Sequence, residues 1–350
     1  MSYFRENIEK LAGYVPGFQP KGAEVVKLNT NENPYFPSPK AVEAIRNFDT
    51  STLKRYPQPF GDSFCEAAAK VVGVEADNIL CTNGGDDLLT ICFRCFCDSQ
   101  RAVAYPGPTY SLYSVLADLQ SCKVIEVPFD EHYSLPAEKL IAAKAAMTIV
   151  CNPNAPSGSF IEVSQIKELA DKLSGKSILL VDEAYADFAD DNCVELVKLC
   201  DNVIILRSMS KGYSLAGLRF GYAIACKEII AGLRKVKDSY NVDAISIAAA
   251  TAAISDQDYF RANVEKVKSE RSRLTDALRE LGMEVGDSCA NFVLAKCNNI
   301  DAAKVYDDLA AANIYVRYFR LPGLEDKLRI TIGTKEQNDV LTGALKKILP

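Results

Sequence analysis

The stretch Ser208–Tyr222, SMSKGYSLAGLRFGY, sets Lys211 among small hydroxyl residues and follows it with Arg219. A lysine that attacks an aldehyde must be partly deprotonated, a state reached when burial or a neighbouring cation lowers its pKa. Lys211 reads as such a Schiff-base lysine. Ser208, Ser210 and Arg219 supply hydroxyl and backbone donors and one forked cation, the set that holds a phosphate.

Other stretches offer partners for that chemistry. Asp182 closes the apolar run of SILLVDEAYADF, where an ionised carboxylate is costly unless it pairs with a cation. A protonated pyridine nitrogen is such a cation, and the ring that carries it acts as an electron sink. Tyr185 stands three residues on, placed to reach an oxygen of the same ring. In TNGGDDLL, two glycines precede a helix start, and Gly85 and Asp86 can bring backbone N–H groups to an anion. Tyr110 follows a Pro-Gly-Pro turn and offers a ring for stacking. Asn152 and Asn154 of CNPNAPSG offer amides to a phenolic oxygen.

The elements that must position these residues alternate. From about Asn31 to Ala250, apolar β-like runs alternate with amphipathic helical segments, the pattern of a parallel or mixed sheet covered by helices on both faces. Glycine and proline clusters fall at the carboxyl ends of the strands, where an open α/β sheet binds its ligand. Beyond Ala250 the pattern becomes α+β: a long charged helix, then NFVLAKC, a helix, IYVRYF, LRITIG and a last helix. The expected organisation is an N-terminal segment at 1–40, a large domain at 41–250 and a small domain at 251–350, with the N-terminal segment packed on the small domain.

Composition narrows the function. The chain has 350 residues, 48% of them hydrophobic, and a formal charge of −6, so nucleic-acid binding has no electrostatic support. No apolar run reaches membrane-spanning length. The opening MSYFRENIEKLAGYVPG is charged and amphipathic rather than a signal peptide, and a cytoplasmic location is expected. Most of the twelve cysteines lie in apolar runs, which points to buried thiols rather than disulfides. Cys92, Cys95 and Cys97 continue a helical apolar pattern, so the expectation there is core helix and not a metal site. The single histidine, His132, sits in a turn-like stretch, so acid–base chemistry here must run without histidine.

NENPYFPSP, KRYPQP, NGGDDL, PGPTYSLY, NPNAPSG, VDEAYADF, SMSKGYSLAGLRFGY and LRITIGT occur in the order found in class II-type pyridoxal-phosphate aminotransferases. The chain resembles that family nearly end to end. The resemblance implies fold type I: an α/β protein whose large, mixed, mostly parallel sheet is sandwiched by helices, with a smaller α+β domain. It implies pyridoxal 5'-phosphate as cofactor, with Lys211 bonded to it and moving the substrate proton, Asp182 at the pyridine nitrogen, Tyr185 at the ring oxygen and Tyr110 stacked on the ring. Gly85, Asp86, Ser208, Ser210 and Arg219 would hold the cofactor phosphate. Tyr56 of KRYPQP would reach the phosphate site of a second copy, making the active form a homodimer. Arg329 in KLRITIG, Arg317 in IYVRYF and Tyr14 in LAGYVPG match family residues that face a substrate phosphate.

The substrates so implied are glutamate and histidinol phosphate, in histidine biosynthesis. One departure is Ala155, directly before Pro156-Ser157-Gly158, where many relatives carry asparagine. The ring-oxygen contact then falls to Asn154 or is shared with Tyr185. Ser157 replaces the commoner threonine and keeps the hydroxyl. An aromatic-amino-acid transaminase would share almost every motif, with Arg317 and Tyr14 the features against it. A threonine-phosphate decarboxylase would also bind a phosphorylated amine but would release carbon dioxide. Regulators built on aminotransferase-like domains carry a further DNA-binding domain, for which this chain has neither the length nor a basic segment.

Overall fold

The computed structural model describes residues 2–22 and 25–349. Its strands are β1 (Val26–Lys27), β2 (Ile79–Thr82), β3 (Val103–Gly107), β4 (Val124–Pro128), β5 (Met147–Cys151), β6 (Ile178–Asp182), β7 (Val203–Ser208) and β8 (Gly221–Ala225). They continue with β9 (Glu284–Val285), β10 (Phe292–Lys296), β11 (Ile314–Tyr315), β12 (Arg317–Tyr318) and β13 (Lys327–Thr331). Seven strands form one sheet in the order β2, β8, β7, β6, β5, β3, β4. All are parallel to their neighbours except β8, which runs antiparallel to β2 and β7.

The apolar runs lack polar alternation because both faces of this sheet are covered. Successive side chains still point to opposite sides. Leu179, Val181, Val203 and Ile205 enter one core with the helices Asp62–Val72, Val163–Leu173 and Ala244–Ile254. Leu180, Ile204 and Leu206 enter the other with Gly85–Phe96, Leu112–Leu119 and Lys227–Arg234. Cys92 and Cys97 are buried in that second core, Cys95 is partly buried, and all twelve cysteines are free. His132 is exposed.

A second sheet, antiparallel and ordered β12, β13, β10, β9, is built from the C-terminal third of the chain. The helix Gln257–Glu280, about 36 Å long at 1.5 Å per residue, packs on it with Lys335–Ile348 around a third core. The IYVRYF run does not form one strand. Its first half, β11, pairs with β1 in a two-stranded parallel sheet, and its second half, β12, pairs with β13. Val316 between them is buried in the third core. The pairing of Val26 with Ile314 ties the segment before residue 40 to the C-terminal elements. No described helix is long and apolar enough to cross a membrane.

Candidate active site

β3, β5, β6 and β7 end along one edge of the large sheet, and a cavity of about 330 Å³ opens there, lined by Tyr110, Asp182, Tyr185, Ser208, Lys211 and Arg329 among others. Placement at strand ends is a consequence of the topology: parallel strands point their carboxyl ends the same way, and their loops converge.

Lys211 follows β7 on a loop braced from two sides. Asn33 Nδ2 donates to the carbonyl oxygens of Lys211 and Gly212 at 3.0 and 3.2 Å. On the other side a Cβ at Gly212 would lie 2.3 Å from Asp187 Oδ2, so only glycine lets the loop pack this closely. Asp187 in turn belongs to a buried cluster in which Arg207 Nε donates to Glu183 Oε2 at 2.8 Å. Among the described residues the Lys211 ammonium donates only to the Thr30 carbonyl, at 3.2 Å, and it stands 5.6 Å from the Tyr185 ring centroid. Burial, helped by the nearby Arg329 charge, lowers its pKa to about 8. Near neutral pH a usable fraction is therefore the neutral, nucleophilic amine.

Asp182, 4% exposed, ends β6 at the bottom of the cavity. Its Oδ2 accepts from the Tyr113 hydroxyl at 2.6 Å and its Oδ1 from the Ala184 N–H at 3.1 Å. Burial raises its pKa to about 6 despite these two bonds. No cation of the protein pairs with it among the described residues. A buried carboxylate held by donors yet lacking a counter-charge suits a cationic ligand atom.

At the other end, the helix Gly85–Phe96 starts at the cavity. Gly221 of β8 lies so close to this turn that a Cβ there would meet the Gly84 carbonyl carbon at 2.8 Å and Gly85 N at 2.9 Å. Arg219 approaches the same turn, with NH1 donating to Ser210 Oγ at 3.4 Å and NH2 3.6 Å from Asp86 Oδ2. Ser208, Ser210, Arg219 and the free N–H groups of the helix start therefore surround one corner. Tyr110 flanks it, donating to Asp86 Oδ1 at 3.2 Å and meeting Tyr14 edge-on with ring centroids 5.9 Å apart.

Towards the small sheet, Arg317 and Arg329 sit opposite one another on β12 and β13 and both line the cavity. Each guanidinium lies 5.3 Å from the Phe319 ring centroid, so both cations share one aromatic neighbour. Among the described residues their hydrogen bonds go to backbone carbonyls only: Arg329 to Asn29 at 3.0 Å, Arg317 to Val15 at 3.3 Å. Arg329 Nε is buried with no partner among the described residues.

Three residues singled out from the sequence, Asn152, Asn154 and Tyr56, do not join the cavity. Asn152 is fully buried, its Nδ2 donating to Ile161 O at 3.0 Å and its Oδ1 accepting from Ile161 N–H at 2.7 Å. Asn154 is 1% exposed, and its amide is consumed by its own loop and by the loop that follows β3. Nδ2 donates to Pro108 O and Ser157 Oγ, and Oδ1 accepts from Thr109 Oγ1 at 2.8 Å. Ala155 lines the cavity instead, with no polar atom to offer from its side chain. Tyr56 is 79% exposed and stacks on Tyr240 with centroids 4.4 Å apart, away from this chain's own cavity. Conversely, Tyr113, Asn31, Asn33 and Phe319 were not singled out. Tyr113 lies in the first turn of the helix that Tyr110 precedes, and the two rings meet edge-on with centroids 5.6 Å apart.

The comparisons with known proteins agree with this architecture. Residues 23–345 match the family described as Aminotransferase class I and II. The chain belongs to that family. It is 48% identical over 349 residues to histidinol-phosphate aminotransferase 1 of Trichormus variabilis, covering 99% of both chains. It is 43% identical to histidinol-phosphate aminotransferase of Rhodopirellula baltica over 96% of this chain and 93% of that one. Among solved structures, histidinol-phosphate aminotransferase from Sinorhizobium meliloti in complex with pyridoxal-5'-phosphate superposes with a TM-score of 0.90 at 26% identity, covering 100% of this chain and 98% of that one.

Proposed function

We propose that this aminotransferase uses pyridoxal 5'-phosphate to exchange an amino group between glutamate and a phosphorylated amine, histidinol phosphate, in histidine biosynthesis. The observation that carries the substrate reading is the pair Arg317 and Arg329: two guanidinium groups facing the cavity with no carboxylate partner among the described residues. Two forked cations match a phosphate dianion. The donor set fits the cofactor for a similar reason: among the described residues no cation pairs with Asp182 at one end of the cavity, and at the other the free N–H groups of the Gly85 helix start stand with Arg219, whose one carboxylate neighbour, Asp86, is 3.6 Å away and about half exposed.

Pyridoxal 5'-phosphate, when bound, supplies an aldehyde for amine exchange and a ring that withdraws charge from the carbon bearing the substrate's amine. The chain's own residues do the rest. Lys211 holds the group through its amine and then moves the proton at that substrate carbon. Asp182 keeps a proton on the ring nitrogen, because an ionised carboxylate at 4% exposure stabilises a cation beside it. Tyr185 donates to the ring oxygen, and Tyr110 covers the ring face. Ser208, Ser210, Arg219 and the backbone of Gly85 and Asp86 hold the phosphate. Arg317, Arg329 and Tyr14 orient the substrate. Tyr56, exposed here, serves the phosphate site of a second copy in a homodimer, and twelve unpaired thiols suit a reducing, cytoplasmic compartment.

The lowered pKa of Lys211 sets a pH dependence. Capture of added cofactor by the free protein needs the neutral amine, roughly one molecule in a hundred at pH 6 and about half at pH 8. Its rate, followed by visible absorbance, is expected to rise steeply between these values and level off above; a flat profile contradicts the role of Lys211.

The substrate assignment is tested by adding histidinol phosphate, phenylalanine or tyrosine to the cofactor-loaded protein and recording the spectrum. Histidinol phosphate is expected to convert it. If phenylalanine converts it while histidinol phosphate does not, the substrate is an aromatic amino acid. Arg317→Ala is expected to raise the KM for histidinol phosphate roughly ten- to hundredfold, the loss of a charged hydrogen bond, and to change the KM for glutamate much less.

A further inference from the structure

The Tyr185 hydroxyl has one protein partner among the described residues: Asn31 Nδ2 donates to it at 3.0 Å. The direction of that bond is fixed from behind. The Asn31 backbone N–H donates to Thr331 Oγ1 at 2.9 Å, and the same hydroxyl turns its own proton onto Asn31 Oδ1, 3.1 Å away. With Oδ1 engaged, the amide nitrogen faces Tyr185. Asn31 is itself immobilised: it is 1% exposed, its φ of 55° places it in the left-handed region, and Asn291 Nδ2 donates to its carbonyl at 2.9 Å. The Tyr185 oxygen therefore accepts on the Asn31 side, and its proton is left for the cavity.

Nothing nearby duplicates this donor. Ala155 packs in the same apolar cluster as Tyr185 but has no side-chain amide, and the Asn154 amide is spent on Ser157 and on the loop after β3. Burial holds the Tyr185 phenol up at about 12 despite the opposing Arg329 charge and the Asn31 bond, so it stays protonated in the working pH range.

We propose that Asn31 is a positioning residue: locked by Thr331, its amide directs the Tyr185 proton onto an anionic oxygen in the cavity, in place of an amide at position 155. This rests on the cofactor reading above, in which that oxygen is the ring oxygen of pyridoxal 5'-phosphate. The C-terminal strand β13 thus acts on the ring twice, through Arg329 towards substrate and through Thr331 and Asn31 towards Tyr185.

The test is the pH titration of the visible absorbance of cofactor-loaded wild type, Asn31→Gly, Tyr185→Phe and the double variant. Glycine keeps the left-handed backbone and the N–H bond to Thr331. The other titratable or charged groups around Tyr185, namely Arg329, Asp182, Cys151, Lys211 and Tyr110, are the same in every variant. A donor to the ring oxygen stabilises its anionic form, so losing the donor raises the titration midpoint. Asn31→Gly is expected to raise it by roughly half to one pH unit, Tyr185→Phe by at least as much, and the double variant by no more than Tyr185→Phe alone. Thr331→Val, which frees the amide to turn, is expected to shift the midpoint in the same direction and carries the test should Asn31→Gly not fold. An unshifted midpoint in both variants, or an Asn31→Gly shift that persists undiminished in the Tyr185→Phe background, overturns the proposal. A wild-type protein that develops no visible band with the cofactor overturns the cofactor reading itself.

Discussion

Lys211→Ala is expected to lower turnover by about four orders of magnitude or more, the largest effect of any single substitution in this chain. Two functions disappear together: the amine that holds the cofactor and the base that moves the substrate proton, the second alone accounting for roughly 10²–10⁴-fold. The loop should survive, because among the described residues the ammonium makes one hydrogen bond, to Thr30 O, while Asn33 holds the carbonyls of Lys211 and Gly212. Lys211→Arg separates charge from chemistry. A guanidinium keeps the cation but never offers a neutral amine, so this variant is expected to be as inactive as alanine. Borohydride reduction of the cofactor-loaded protein followed by mass measurement gives an independent readout, with an adduct in wild type and none in either variant. Turnover by Lys211→Ala within tenfold of wild type would remove the lysine from the mechanism.

The sheet edge that carries Asp182 and Lys211 was readable because its apolar runs end in a charged or hydroxyl residue: β6 in Asp182, β7 in Ser208 three residues before Lys211. A buried parallel strand leaves only its ends for such groups. Local patterns carry that information. They do not carry the contacts that orient the site. Tyr113 and Asp182 are 69 residues apart, and Asn31 and Thr331 are 300 apart; neither pairing leaves a periodic trace. Asn154 shows the converse failure. An asparagine in a tight loop after a strand looks available, yet three neighbouring groups of the same edge exhaust its amide, which only the folded loop reveals. IYVRYF misleads in a third way, since β-like composition says that a segment is extended and not that one sheet will hold all of it. The arginine flanking its break is the one that faces the cavity, so the division between β1 and β13 also decides where Arg317 points.

Asp182→Asn is expected to cost on the order of 10³-fold in kcat/KM, the scale of losing a preorganised charge beside the reacting ring, while making the cofactor-free protein more stable at neutral pH. The sign follows from burial. Asp182 has a folded pKa near 6 against an ordinary value of 3.8, so between these values the folded state binds more protons than the unfolded one. Its contribution to stability is then fully present below about pH 4 and lost as pH rises through 6. Above pH 6 the free protein carries an ionised carboxylate with no counter-charge, at a cost on the order of 2–3 kcal/mol. Asparagine removes that cost but can offer its one oxygen to Tyr113 or to the Ala184 N–H, not to both, which takes back about 1 kcal/mol. The net expectation at pH 8 is a melting temperature roughly 1–3 °C above that of the free wild type, shrinking towards pH 5. The loaded proteins should behave oppositely. In wild type a ring cation compensates the carboxylate, so stabilisation by the cofactor grows from pH 5 to pH 8; in Asp182→Asn that growth disappears. Equal cofactor stabilisation at both pH values in wild type would mean that the Asp182 charge has no cation to meet, and the ring nitrogen would have to lie elsewhere.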